Sequence, residues 1–337
     1  MKIYTFSKVK CAITHISLRL RARSVTHFAA TGARVWSVQD NTSPRHGYEA
    51  DIARMTSNPE GNAAPASTST TFKAAYSDLL EGARQHELWF MLGLQDIKQR
   101  YRRSILGPFW ITIATGVIAL ALGLLYSMLF QLPVAEFLPH VTVGLIMWNF
   151  IAGAIKEGAT IFIDNEGLIK QLPAPLSVHV YRLVWRQTLF LGHNMIIWII
   201  LMLIFPRNLG WEFFLFIPGL FLLLLNGVWV AMFFGIIATR FRDVAPLLEA
   251  FTQLLFYLTP IVWTTRTLLE QGGDVAQRAR LAELNPLYHY LEVVRAPLIG
   301  EPLAAYHWGI VLACTVVGLL IAGLAMRQWR FRVSYWV

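Results

Sequence analysis

The feature that most constrains this chain is a set of long runs without any charged residue. Residues 109–130 contain no Asp, Glu, Lys or Arg, and neither do 213–239 and 302–326. Residues 137–155 have only His140 as a titratable group, and 187–206 have only His193. A sixth run, 244–265, is interrupted by Glu249. A membrane-spanning helix needs about 20 predominantly apolar residues, and six such runs would make an implausible soluble core. Open strands are excluded in lipid, where each unpaired backbone group costs several kcal/mol. The expectation is an all-α membrane protein with six transmembrane helices, at about 109–130, 138–158, 185–206, 213–238, 245–265 and 304–326. Composition agrees: the chain is 15% charged, against about 25% in soluble domains. Its net charge of +9 then reads as basic residues held on the cytoplasmic side of a membrane rather than as a nucleic-acid surface.

Lys and Arg in short connections set orientation. Lys98, Arg100, Arg102 and Arg103 precede the first run; Lys156, Lys170, Arg182 and Arg186 separate the second from the third; Arg240 and Arg242 separate the fourth from the fifth; Arg327, Arg330 and Arg332 follow the last. The alternate connections hold no basic residue at 132–138 and only Arg207 at 206–212. Both termini are therefore expected in the cytoplasm. The segment 266–303 is mixed in charge and fits the outer face.

Residues 1–72 are unlike the rest. The stretch 56–71 is rich in Ser, Thr, Ala, Asn and Pro, a composition that favours disorder. No apolar run there suits a signal peptide. We expect 1–72 to be a disordered or non-native extension, with Met55 a candidate start. Peptides from 1–54 in mass spectrometry of the native amino terminus would refute that start. Residues 73–337 form the membrane domain.

Before the first run, Phe90, Leu94, Ile97, Tyr101 and Ile105 recur at helical spacing. This predicts an amphipathic helix lying in the interface, broken at Gly107-Pro108. Between the second and third runs, Asp164-Asn165-Glu166-Gly167-Leu168-Ile169-Lys170-Gln171-Leu172-Pro173 predicts a short helix. Glu166 and Lys170 stand i,i+4 in the favourable order, and Pro173 ends the helix. Such a solvated helix suits docking into a partner's groove, and by composition alone it is equally a plain connector. Residues 285–300, apolar and aromatic with Pro286 and Pro297 near the ends, are too short to span. They predict a re-entrant or interfacial helical hairpin.

No phosphate-binding loop, Gly-x-Ser-x-Gly, His-Glu-x-x-His or Cys-x-x-Cys occurs. Any use of ATP must come from another subunit, and no cofactor is expected in this chain. Cys11 and Cys314 match no metal or redox spacing. The absence of paired carboxylates inside a run argues against a proton-driven carrier.

Four stretches resemble the permease subunits of ABC-type polysaccharide exporters, the class that moves O-antigen, capsule or teichoic-acid chains. They are Asp96 to Trp110; Asn165 to Lys170 with Pro173; Arg242-Asp243-Val244-Ala245-Pro246 with Gln253 and Phe256-Tyr257-Leu258-Thr259-Pro260-Ile261; and Asn285-Pro286-Leu287 through Arg295-Ala296-Pro297-Leu298-Ile299-Gly300. Each alone is a weak signal. Their order and spacing, over about residues 80–330, are specific. The chain departs from the family's pattern at Ile113-Ala114-Thr115-Gly116, where a Pro is common, and at Leu172-Pro173, where Phe-Pro is common.

The resemblance implies a homodimer with two ATP-binding cassette ATPase subunits beneath, in a bacterial cytoplasmic (inner) membrane, moving a lipid-linked glycan. It implies that Asn165, Glu166, Leu168, Ile169, Lys170 and Pro173 couple the chain to the ATPase. It makes Arg100, Tyr101, Arg102 and Arg103 a substrate gate, whose arginines could meet the carrier phosphates or equally anionic headgroups. Tyr126, Phe256, Tyr257 and Trp263 become candidates for lining a glycan channel, with interfacial anchoring as their other reading. Asn285, Pro286, Arg295 and Pro297 would form an outer gate. Two alternatives stand beside this function: an ABC-type exporter of a small drug or lipid, and a membrane-embedded sugar acyl- or glycosyltransferase.

Overall fold

The computed structural model describes residues 72–171, 174–264 and 281–337, and those residues are helical with no strand among them. The extension at 1–71, Leu172, Pro173 and residues 265–280 lie outside the described residues. In chain order the helices are α1 (Phe72–Arg84), α2 (His86–Arg100), α3 (Phe109–Phe130), α4 (Val134–Asp164), α5 (Glu166–Gln171), α6 (Ser177–Ile204), α7 (Phe216–Arg240), α8 (Val244–Leu258), α9 (Pro286–Ile299) and α10 (Ala305–Trp336). Short 3-10 turns precede α7 at Trp211–Leu215 and α9 at Leu281–Leu284.

Five helices are long and apolar enough to cross a membrane: α3, α4, α6, α7 with the turn before it, and α10. The stretch expected as a span at 245–265 instead gives the 15-residue α8. At about 1.5 Å per residue that is about 22 Å, against about 30 Å of hydrocarbon. The cause is local. Thr259 precedes Pro260, which disfavours helical backbone at the residue before it, and Thr259 adopts φ −93°, ψ 136°.

The helix α4 is the centre of the bundle. It is apolar nearly all round, which suits a helix packed on every side, and it contacts α3, α6, α7, α8 and α9. By contrast α3 turns large side chains such as Ile113, Val117, Leu125 and Met128 outward. At the end where α5 connects them, α4 runs on to Asp164 and α6 begins at Ser177, so both extend beyond the expected spans. At Gly158 the backbones of α4 and α7 nearly touch. A Cβ there would sit 2.7 Å from Ala231 Cα, and one at Gly235 would sit 2.9 Å from the Gly158 carbonyl oxygen. Small residues that permit such approach are the usual glue between membrane helices.

The helix α2 ends at Arg100, and residues 101–103 form a turn. The predicted stripe therefore does not continue to Ile105, which is fully exposed. The face that α2 buries carries Gly93 and Ile97 and lies on α6. Phe90 stacks on Trp185 at 3.9 Å between ring centroids, and Gly93 lets the same indole approach. Asp96, expected off the apolar stripe, points at α6.

Candidate functional site

Two sites stand at opposite ends of α4. At the end that leads into α5, charged side chains form one connected cluster. Asp96 accepts from Arg182 Nε at 2.7 Å, from Arg182 Nη2, and from Arg186 Nη1 at 2.7 Å. Arg186 Nη2 donates to Glu157 at 2.6 Å, and Arg100 lies 3.5 Å from the same carboxylate. Arg182 Nη1 donates to Asn165 Oδ1 at 2.9 Å, and Asn165 Nδ2 donates back to the Ile161 carbonyl at 2.7 Å. The cluster thus ties α2, the ends of α4 and α6, and the residue that opens α5.

Half-burial pushes the Asp96 carboxyl up, but the bonds and charges of Arg182 and Arg186 outweigh it and hold it below its ordinary value of 3.8. A carboxyl lowered on folding contributes stability above its unfolded value, and loses it as pH falls through the folded one. The Asp96 link is therefore intact at neutral pH and fails only in acid below about 3.8.

The six residues of α5 bury nothing completely. Glu166 accepts from Lys170 Nζ at 2.6 Å, and that bond lowers the Glu166 carboxyl. Leu168 and Ile169 are half-buried, with Ile169 against the core beneath. Pro173, expected to end this helix, lies outside the described residues. Of the gate residues, Arg100 closes α2 and lies 5.7 Å from the centre of the Phe190 ring. Tyr101 is half-buried, and Arg102 and Arg103 are exposed.

At the other end of α4, α9 is almost wholly buried. Asn285 caps it by accepting from Leu287 N at 3.0 Å, and donates to Thr259 Oγ1 at 2.8 Å, so α9 is fastened to the end of α8. Pro286 occupies the first turn, where its missing N–H costs nothing. Arg295 is 1% exposed; it pairs with Glu292 and donates to the Pro260 carbonyl at 2.9 Å. Pro297 lies inside the helix, which runs on to Ile299. Gly300, at φ +71°, then turns the chain in a left-handed conformation that favours glycine. Trp198 and Arg207 donate to the Leu298 and Ile299 carbonyls at 3.0 and 3.1 Å. Beside α9 opens a cavity of about 1050 Å³, bordered by His140, Arg207, Tyr288 and Glu292. An Asn285→Ala chain should lose about 1 kcal/mol as the cap goes, seen as a lower midpoint in thermal unfolding; an unchanged midpoint would contradict the cap's role.

Of the four candidate channel aromatics, the structure brings Phe256 and Tyr257 edge-on at 5.4 Å between ring centroids. Tyr126 stacks on Phe130 at 5.8 Å. Phe256 meets Trp148 edge-on at 5.6 Å. Tyr257 is 66% exposed, and Trp263 rests half-buried on the core. Only Phe256 borders the groove of about 560 Å³ that opens between α3, α4, α6 and α8. Sequence reasoning missed the charged cluster. Its one signal was Arg182 and Arg186, four residues apart and hence on one helix face. Among the described residues no group of three metal-ligating side chains is present.

The buried face of α2, the exposed α5 and the capped α9 all lie within the stretch that matches one family model, the ABC-2 type transporter, over residues 87–299. The chain belongs to the ABC-2 type transporter family. As a member, it is similar to an O-antigen export system permease protein RfbA of Klebsiella pneumoniae, 26% identical over 246 residues. That match covers 70% of this chain and 90% of the relative. It is similar to the RfbA permease of Myxococcus xanthus at 22% over 240 residues, covering 70% and 89%. The chain is thus a multi-pass membrane transport subunit.

Proposed function

We propose that this chain is the membrane-spanning subunit of an ATP-driven exporter that moves a lipid-linked polysaccharide across a bacterial inner membrane. The observation that carries the reading is α5. A short exposed helix, with no completely buried residue, sits between two spans and is tied through Asn165 to a charged cluster. That is what a chain without a nucleotide motif needs in order to take up movement from a separate ATPase.

In this reading two copies pair, and both termini are cytoplasmic. The cytoplasmic end of α4 then carries α5 against the ATPase, and α2 lies at the membrane interface beside it. The sixth crossing is made by α8 with the residues after it, and α9 is the re-entrant arm at the outer face. Closure of the ATPase pair on ATP moves α5. Asn165 and Arg182 pass that movement to α2 through Asp96, and to α4 through Arg186 and Glu157. Arg100, Arg102 and Arg103, at the end of α2, meet the phosphates of the lipid carrier, for which guanidinium is well suited. A glycan's hydroxyls are costly to place in hydrocarbon, so the chain must pass along a protein-lined path.

Charge reversal of the α5 pair (Glu166→Lys with Lys170→Glu) retains a local ion pair while inverting what the ATPase meets. We expect polysaccharide export to fall at least tenfold with the chain still inserted in the membrane at normal level. Normal export by the reversed chain would remove α5 from the coupling role.

A further inference from the structure

The groove between α3, α4, α6 and α8 has a polar side that neither the aromatic residues nor the gate explains. Gln187 and Asn194 stand seven residues apart on α6, on one face and about 10 Å apart along the axis. Both border the groove and are buried. From α4, Asn149 faces the same space and donates to Thr115 Oγ1 of α3 at 3.2 Å. Asn194 is 1% exposed, and its amide oxygen has no partner among the described residues. At the cytoplasmic mouth stand Arg100 and Glu157, which belong to the charged cluster.

Three carboxamides inside spans are expensive if they face lipid. Each offers two donors and two acceptors, so something polar must lie against them. The rest of the lining narrows what that is. Trp110, Phe190 and Phe256 border the same groove. Flat rings beside carboxamides suit a molecule with apolar C–H faces and a rim of hydroxyls. Gly153 lets the Gln187 carboxamide lie directly against α4, because a Cβ there would come within 2.5 Å of the amide oxygen.

We propose that Asn149, Gln187 and Asn194 form a hydrogen-bonding track for the hydroxyls of the glycan, leading from the Arg100–Glu157 mouth into the membrane. This rests on the polysaccharide-export reading and adds to it a binding surface and its ligand chemistry. Carboxamide bonds to neutral hydroxyls are individually weak once exchange with water is counted, so the track guides sugars without trapping them.

The test is made in cells, with the full chain and its ATPase, reading the host's polysaccharide at the cell surface per copy of chain. A differently tagged second copy is recovered from the same membranes. The pair Gln187→Met with Asn194→Leu keeps side-chain bulk and removes the amides; we expect export to fall at least tenfold with the second copy still recovered. The pair Gln187→Ser with Asn194→Ser leaves larger voids but restores hydroxyls, and should retain at least a third of wild-type export, whereas a packing role would make it the worse pair. Gly153→Leu, whose Cβ would push the Gln187 carboxamide out of place, should also lower export at least tenfold. Wild-type export by the Met/Leu pair would overturn the track. So would loss of the second copy, which would make the amides a contact between copies. A wild-type chain that delivers no polysaccharide to the surface would overturn the underlying reading instead.

Discussion

An Asp96→Ala chain loses about 3 kcal/mol of stability and its export with it. Asp96 accepts three bonds from two arginines whose side chains are each only 13% exposed. Without the carboxylate, Arg182 and Arg186 stand four residues apart with no acid between them. Among the described residues, Arg182 then keeps its bond to Asn165 and Arg186 its bond to Glu157. The α2 helix is then held to α6 mainly by apolar and ring contacts, with Trp89 and Phe90 against Trp185 and the close approach at Gly93. A double change, Asp96→Leu with Arg182→Leu, removes both charges together, and replacing a buried pair by apolar groups is often close to neutral. Thermal unfolding should show the double variant recovering most of the lost stability. Export at the cell surface should stay low in both, because the path from α5 to α2 is cut in both. Export restored along with stability would show that the cluster only fastens helices together.

Gly158→Leu should be equally damaging for a different reason. The atoms that a new side chain would meet are Ala231 Cα at 2.7 Å and its Cβ at 2.9 Å. Neither can rotate away, so α4 and α7 must separate. Overpacking of this kind costs about 3 kcal/mol or more, because α4 is the helix on which the others pack. We expect a chain that reaches the membrane but loses its monodisperse peak in detergent. Gly158→Ala should fall between it and the wild type. A Leu variant with the wild-type thermal midpoint would show that the crossing is looser than described.

The spans were legible where hydropathy and helix coincide. Two of them, α3 and α7 with the turn before it, have nearly the bounds of the runs that carry no charge. The reading failed where they part. It ended the second span at about 158 and began the third at about 185, because charges are expensive in lipid. The helices continue because Asp96 and Glu157 neutralise Arg182 and Arg186. At α8 the error ran the other way, since hydropathy reads through Thr259-Pro260 while the backbone does not. The short α5 was visible because its signals, Glu166 with Lys170 and a following Pro173, are all local. The charged cluster was not, because Asp96 and Arg182 are 86 residues apart and only the fold joins them. The amides of Asn149, Gln187 and Asn194 were hidden for a third reason: uncharged, they scarcely interrupt an apolar run.

The most direct test of the account is to recover the tagged chain from its native membranes in detergent and identify by mass spectrometry what accompanies it. The account predicts a stoichiometric partner carrying a phosphate-binding loop, retained by the wild type and weakened when Glu166 and Lys170 are reversed. A folded, pure chain with no such partner would contradict it, because nothing in these residues could then drive export.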